Sequence, residues 1–503
     1  MSLAANSRWN LLAFTFTLAA HFITVPFVIS HIGLTEFGHA GLVVAVWAPL
    51  VLVGTVLGQA ATQQMADRIS QGDSEASRKF AQSAIFLCLI ACTATAILVA
   101  TIGRPLLGWL VDQPREAHKW YTEIAVAGIG WAAQQYALVL QGICTAHQNY
   151  RTIAKVGAAS AVATVAATLS FSTWWPNALG YLAGISVGLI LSAGAWWIAI
   201  RVSLGREVLW PMAHAAETRG LLRFGKWQTF TQLAGTLGNQ IDRYVLGSLA
   251  SPTVIGQYNA ANRLQEAAYA GIVKVAEVLF PYFGANSRRE PAAQAHFYLI
   301  AAWVVMTFSS AVLAPMIPLA DPLLRLWAGP EVANGGALLL QTLVFGGLVG
   351  CGSNVATYYF MGTGQVSLLA LISVVYSVLT IILSVVLLRL VGPYAAGVGL
   401  AIASVVRVAL SLALLKRAFG AILTARDLFI SNVLPLIAGT ALAWTMAKVA
   451  PDFGMHNWLS VIGAYVLLSL AVLLAVTGCT ATTSFGRELL VSLARGRQAE
   501  ASA

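Results

Sequence analysis

Charge is what this chain has least of. Lys, Arg, Asp and Glu make up 10% of its 503 residues and 58% is hydrophobic, where soluble domains carry about 25% charged residues. No sizeable water-soluble domain fits that composition. Reactive constellations are missing as well. No His pair has metal spacing, no Gly-Lys-Ser/Thr loop is there to cradle a phosphate, and there is no nucleophile elbow. The sequence therefore points away from an enzyme, from a bound cofactor or metal, and from energy supplied by nucleotide hydrolysis. The five cysteines (Cys88, Cys92, Cys144, Cys351 and Cys479) lie mostly in apolar segments without ligand spacing and read as packing residues. The net charge of +10 comes from Lys and Arg in short loops, so it speaks of membrane topology and not of nucleic acid.

What the chain has in plenty is apolar runs of 18 residues or more, each long enough for a membrane helix. The expected fold is all-α and polytopic. Fourteen spans are predicted, near 9–31, 38–64, 80–102, 120–145, 153–173, 178–201, 224–249, 256–284, 295–319, 335–361, 366–390, 394–417, 428–449 and 458–478. Basic residues concentrate in alternate loops, which places both termini in the cytoplasm by the positive-inside rule. Trp9, Trp120, Trp174, Trp175, Trp227 and Trp458 fall near span ends, as interfacial anchors do.

The chain repeats itself. Thr35-Glu36-Phe37-Gly38 opens the second span and Thr253-Val254-Ile255-Gly256 the eighth, 218 positions on; Gln148 and Gln365 are 217 apart. Residues 1–205 and 224–420 thus read as two six-helix lobes of one orientation, related by an axis along the membrane normal. The expected remainder is a cytoplasmic linker at 206–223, two additional spans within 421–478 and a tail at 479–503. Such paired bundles suggest alternating access to a central cavity.

Phe224 to Arg289 holds the polar exception to this background. Arg263, Glu266, Lys274 and Glu277 lie within roughly an 80° arc of one helix at 100° per residue. A charge at mid-bilayer costs about 2.5–3.5 kcal/mol on insertion scales, so four facing lipid cost on the order of 10 kcal/mol. That face must meet protein or water. Spacing of three lets Arg263 pair with Glu266 and Lys274 with Glu277. The four fit either self-neutralised pairs lining a wet cleft or a site where Arg263 and Lys274 meet an anionic head group while the glutamates balance charge or carry a coupling ion. On span seven, Gln228, Gln232, Asn239 and Asp242 form a stripe beside Arg243, and Asp242–Arg243 fits an ion pair near the outer interface or a cavity pair. Arg407 has no acidic residue within a turn, so its partner must come from another helix, Glu266 or Glu277 for example, or from substrate. In the first half Gln59, Gln63, Gln64, Gln134, Gln135 and Gln141 suit either sugar hydroxyls or neighbouring helices. His21 reads as a packing histidine.

Asn239-Gln240-Ile241-Asp242-Arg243-Tyr244-Val245-Leu246-Gly247, followed by Ile255-Gly256-Gln257-Tyr258-Asn259-Ala260-Ala261-Asn262-Arg263-Leu264, resembles the middle of bacterial polysaccharide transporters. These are the Wzx-type repeat-unit flippases of the multidrug/oligosaccharidyl-lipid/polysaccharide (MOP) superfamily. The resemblance implies an inner-membrane protein that moves undecaprenyl-diphosphate-linked oligosaccharide from the cytoplasmic to the periplasmic leaflet for surface polysaccharide such as O-antigen or exopolysaccharide. It also implies a monomer embedded in the lipid bilayer that works beside a polysaccharide polymerase and chain-length regulator. Family cavity cations would correspond to Arg263, Lys274 and Arg243. No basic residue lies at membrane depth in the first half, where this sequence departs from that pattern. The alternatives from the same superfamily are a cation-coupled multidrug exporter and a lipid II flippase.

Overall fold

The computed structural model describes residues 22–110, 117–147, 149–223, 243, 245–247, 249–277, 279–285, 290–449, 457–483, 486–488 and 491. Span seven therefore falls almost entirely outside the described residues, with Gln228, Gln232, Asn239 and Asp242; so does His21. Every regular element among the described residues is helical. Nine helices there are long and apolar enough to cross a membrane, or ten if the bent pair Leu34–Trp47 and Leu52–Ile69 counts as one crossing. Two compact units divide the chain, Met1–Gly256 and Gln257–Ala503.

The first unit begins with α1 (Phe22–Ile32) and α2 (Leu34–Trp47). A single span was predicted at 38–64, but a 3₁₀ turn at Ala48–Val51 separates α2 from α3 (Leu52–Ser70), and the two helices meet at 49°. Pro49 is the cause, since it has no amide proton to continue the α-helical ladder. The break leaves orphan amides in the first turn of α3. One of them, Gly54 N, donates to Gln135 Oε1 at 2.8 Å. Gln135 comes from α5 (Ala117–Ala146), which follows the long α4 (Ser74–Leu110). Small residues let α3 and α5 touch backbone to backbone, and Thr62 Oγ1 donates across the contact to the Gly142 carbonyl at 2.9 Å.

α6 (Tyr150–Trp174) and α7 (Ala178–Leu204) form a hairpin, with Asn149 and Asn177 as N-caps. A short 3₁₀ turn (Arg206–Leu209) and α8 (215–223) follow. α4 holds this stretch: Arg78 pairs with Glu207, Gln82 Nε2 donates to the Glu207 carbonyl at 2.8 Å, and Gln82 Oε1 bonds His214 Nε2 at 2.8 Å.

The start of α9 (Pro252–Glu277) also lies in the first unit. There the repeat becomes a physical contact. Thr35 and Thr253, the residues 218 apart, hydrogen-bond through their hydroxyls at 3.1 Å. A Cβ on Gly38 would overlap the Pro252 carbonyl, and one on Gly256 would come within 2.5 Å of the Leu34 carbonyl. Leu34 and Pro252 are equivalent at the same offset, so each helix presents the same residues to the other, the isologous pattern of a two-fold contact.

The second unit holds the rest of α9, then α10 (Leu279–Ala285), α11 (Pro291–Leu313), α12 (Ala320–Ala328), α13 (Pro330–Cys351), α14 (Asn354–Gly362), α15 (Val366–Val391), α16 (Ala396–Phe419), α17 (Ala425–Leu428), α18 (Leu434–Val449) and α19 (Trp458–Ala481). Predicted span ten is interrupted at Gly352 and Ser353, between α13 and α14, within one candidate crossing (Pro330–Gly362). Buried Tyr298, Phe360, Phe283, Leu415 and Phe419 form its core. A Thr424–Asp427 capping box and a π-turn at Phe429–Val433 start span thirteen. α12 was not predicted; it is short and amphipathic, and Asp321 grips Arg325 with two 3.0 Å bonds that push the guanidinium above its ordinary pKa.

Candidate functional site

The residues that face inward on α9 explain why its charges face outward. Tyr258, Ala261, Leu264, Gln265, Ile272 and Ala276 are buried. Gln257 and Gln265 nest on glycines of α13. A Cβ at Gly335 would come within 2.2 Å of Gln257, and one at Gly347 within 2.3 Å of Gln265. Gln257 Nε2 also donates to the Glu331 carbonyl at 2.9 Å. These contacts fix the rotation of α9, and helical periodicity carries the four charges to the opposite face.

Both predicted pairs form. Lys274 Nζ lies 2.7 Å from Glu277 Oε2, with the side chains 48% and 54% exposed. Arg263 lies 3.8 Å from Glu266, at 41% and 50% exposure, and Glu266 also accepts from Asn262 Nδ2 at 2.8 Å. The first pair is tight and the second is loose. Exposed pairs of this kind are worth about 0–1 kcal/mol in water.

Arg407 of α16 is placed differently from the expectation. Its guanidinium stands over the Tyr376 ring of α15, 5.1 Å from the centroid, and among the described residues neither Glu266 nor Glu277 is its ion-pair partner. Tyr269 of α9, whose hydroxyl donates to Asn354 Oδ1 at 3.1 Å, is an electrostatic neighbour of Arg407. The Asn354 Nδ2 is buried and has no partner among the described residues. Sequence reasoning missed Tyr376, Tyr269 and Asn354, because nothing in their spacing to Arg407 announces a contact between four separate helices.

Arg243 belongs to the first unit and is 9% exposed; Asp242 lies outside the described residues. Gln135 is fully buried and caps α3, so it is not free to meet a sugar, while Gln59 and Gln63 are exposed. Trp174, Trp175 and Trp458 are exposed, as anchors should be, but Trp120 is buried and stacks on His39. Four cysteines are buried and Cys479 is exposed.

Solved structures share this fold at low identity. A lipid II flippase, MurJ, in an inward closed conformation aligns with a TM-score of 0.75 at 15% identity, covering 97% of this chain and 100% of that one. An inward-facing multidrug resistance MATE family transporter of the MOP superfamily aligns at 0.69 and 16%, covering 82% and 98%. A MOP superfamily transporter from Pyrococcus furiosus, described as having a binding pocket of reverse polarity, aligns at 0.60 and 14%, covering 84% and 95%. Comparison with curated protein sequences gives no match. The helical architecture and its transporter neighbours agree with a sequence match that spans more than half of the chain: residues 3–287 fit the family described as "Polysaccharide biosynthesis protein", and the protein belongs to that family.

Proposed function

We propose that the protein is an inner-membrane flippase for a lipid-linked oligosaccharide, an undecaprenyl-diphosphate-bound repeat unit passed from the cytoplasmic to the periplasmic leaflet, with both termini in the cytoplasm. The observation that carries this reading is the half-exposed ionic face of α9. Arg263 and Lys274 are held there by carboxylates weak enough to yield. A diphosphate offers geometry for a bidentate Arg263 contact and charge for Lys274. As the anion docks, Glu266 and Glu277 are released to water or to a coupling cation. Because the Arg263 pair is the looser, Arg263 engages first. A polar head group crossing about 30 Å of hydrocarbon needs such a wet, compensated path. Membrane potential adds about 2.3 kcal/mol per charge per 100 mV, and an outside-positive potential drives an anion outward.

Lipid II is the second reading, favoured by the 97% coverage against MurJ, which extends over α18 and α19. It uses the same diphosphate logic. An organic-cation cargo suits the site less, since an unpaired cation would meet Arg407 and Lys274. Reconstitution separates the three. In proteoliposomes, a fluorescent undecaprenyl-diphosphate oligosaccharide should flip faster than lipid II, and a lipophilic cation should not move. Equal or faster lipid II transport would overturn the first reading. Cation transport unaffected by Arg263→Ala and Lys274→Ala would overturn both.

A further inference from the structure

The stretch after α7 carries a surface that the transport reading leaves unused. α8 turns Leu221 fully inward, and Gly220 packs near Phe80 of α4. Its outward face holds Ala215, Thr218, Arg219, Leu222 and Arg223, which fall within roughly 140° at 100° per residue. With Ala213 these residues line an open concavity of about 620 Å³. Leu222, which lines it, is 54% exposed, and the same stretch of chain exposes Val202 at 82%, Trp210 at 55% and Met212 at 52%. Cations are interleaved with them. Arg201 lies over the Trp197 ring at 5.2 Å and Arg206 over Trp210 at 5.5 Å. The bonds from Arg78, Gln82 and Ser83 to Glu207 and His214 fix this arrangement to α4.

A soluble partner would leave Trp210, Met212 and Leu222 in water whenever it dissociated. A bilayer surface covers them permanently, with aromatic rings at head-group depth and arginines reaching phosphates. From this charge and apolar complementarity we propose that residues 201–223 form a binding surface for anionic phospholipid, with a phosphatidylglycerol head group between Arg219 and Arg223 and its acyl chains against Leu222 and Met212. None of these residues lies on the α9 face, so the proposal stands or falls separately from the cargo.

The test uses the purified full-length protein and lipid binding followed by native mass spectrometry. Phosphatidylglycerol should lose affinity about five-fold for each of Arg219→Ala and Arg223→Ala, which is about 1 kcal/mol per basic residue near an anionic surface. Phosphatidylcholine binding should not change, and Arg389→Ala, a cation lost elsewhere, should bind phosphatidylglycerol as the parent does. Leu222→Ser keeps both arginines and should also weaken phosphatidylglycerol binding. An unchanged phosphatidylglycerol affinity in the double arginine variant overturns the proposal. So does displacement of the lipid by inorganic diphosphate with no effect of Leu222→Ser, which would mark a small-anion site.

Discussion

The two compact units of the chain use polarity differently. At the repeat offset of 218, Arg263, Glu266, Lys274 and Glu277 correspond to Ala45, Ala48, Val56 and Gln59. In the first unit two polar side chains serve the packing directly, Gln135 capping a broken helix and Thr62 bridging two backbones, while Gln59 and Gln63 are exposed. On α9 the glutamines do the packing and the ionisable groups are left half exposed in mutual pairs. Close helix contacts such as that between α3 and α5 need small residues and few charges.

Breaking that division gives the predictions. The largest effect belongs to the charges. Hydrogen bonds to charged groups are worth about 1.5–3 kcal/mol each, so Arg263→Ala combined with Lys274→Ala should lower flipping in proteoliposomes on the order of 100-fold. Gln59→Ala and Gln63→Ala should stay within about two-fold of the parent. Equal losses in both sets would erase the contrast. Next come the steric and capping sites of the first unit. Gly38→Ala forces a methyl onto the Pro252 carbonyl and should destabilise by about 1–3 kcal/mol, read as a lowered unfolding temperature in detergent. Gln135→Leu strips the acceptor from a buried Gly54 amide and should cost a similar 1–3 kcal/mol, with transport per folded molecule unchanged. Smaller still, Glu266→Gln should leave stability unchanged and tighten binding of a diphosphate analogue by up to about five-fold, the worth of an exposed pair; weaker binding would give Glu266 a direct role in holding the cargo. The smallest effect is at Arg407. Tyr376→Leu should cost about 0.5–1 kcal/mol through the lost cation–π contact, and Tyr376→Phe should retain it.

Much of this contrast could be read before any coordinates. Period 3.6 gathered the four charges on one face, and spacing of three foretold both pairs, since each depends only on residues of a single helix. The interruption of α2 was visible as Pro49 but was passed over because hydropathy runs straight through it. Arg407 was expected to take its partner from another helix, Glu266 or Glu277 for example, or from substrate, and it stands over the Tyr376 ring of α15. In a sequence a lone cation asks for a charge, whereas in a packed bundle the π-face of a neighbouring helix can also answer. Trp120 failed as an anchor for a related reason: its position at a span end is local, and its stacking on His39 is not.

The crossing at Gly38 and Gly256 leaves room for a side chain on neither helix. One steric condition is imposed twice by one junction, so drift at either glycine is punished by its counterpart's carbonyl neighbour. Thr35 and Thr253 close the same crossing with a hydroxyl–hydroxyl bond, so a change on either helix is felt on both.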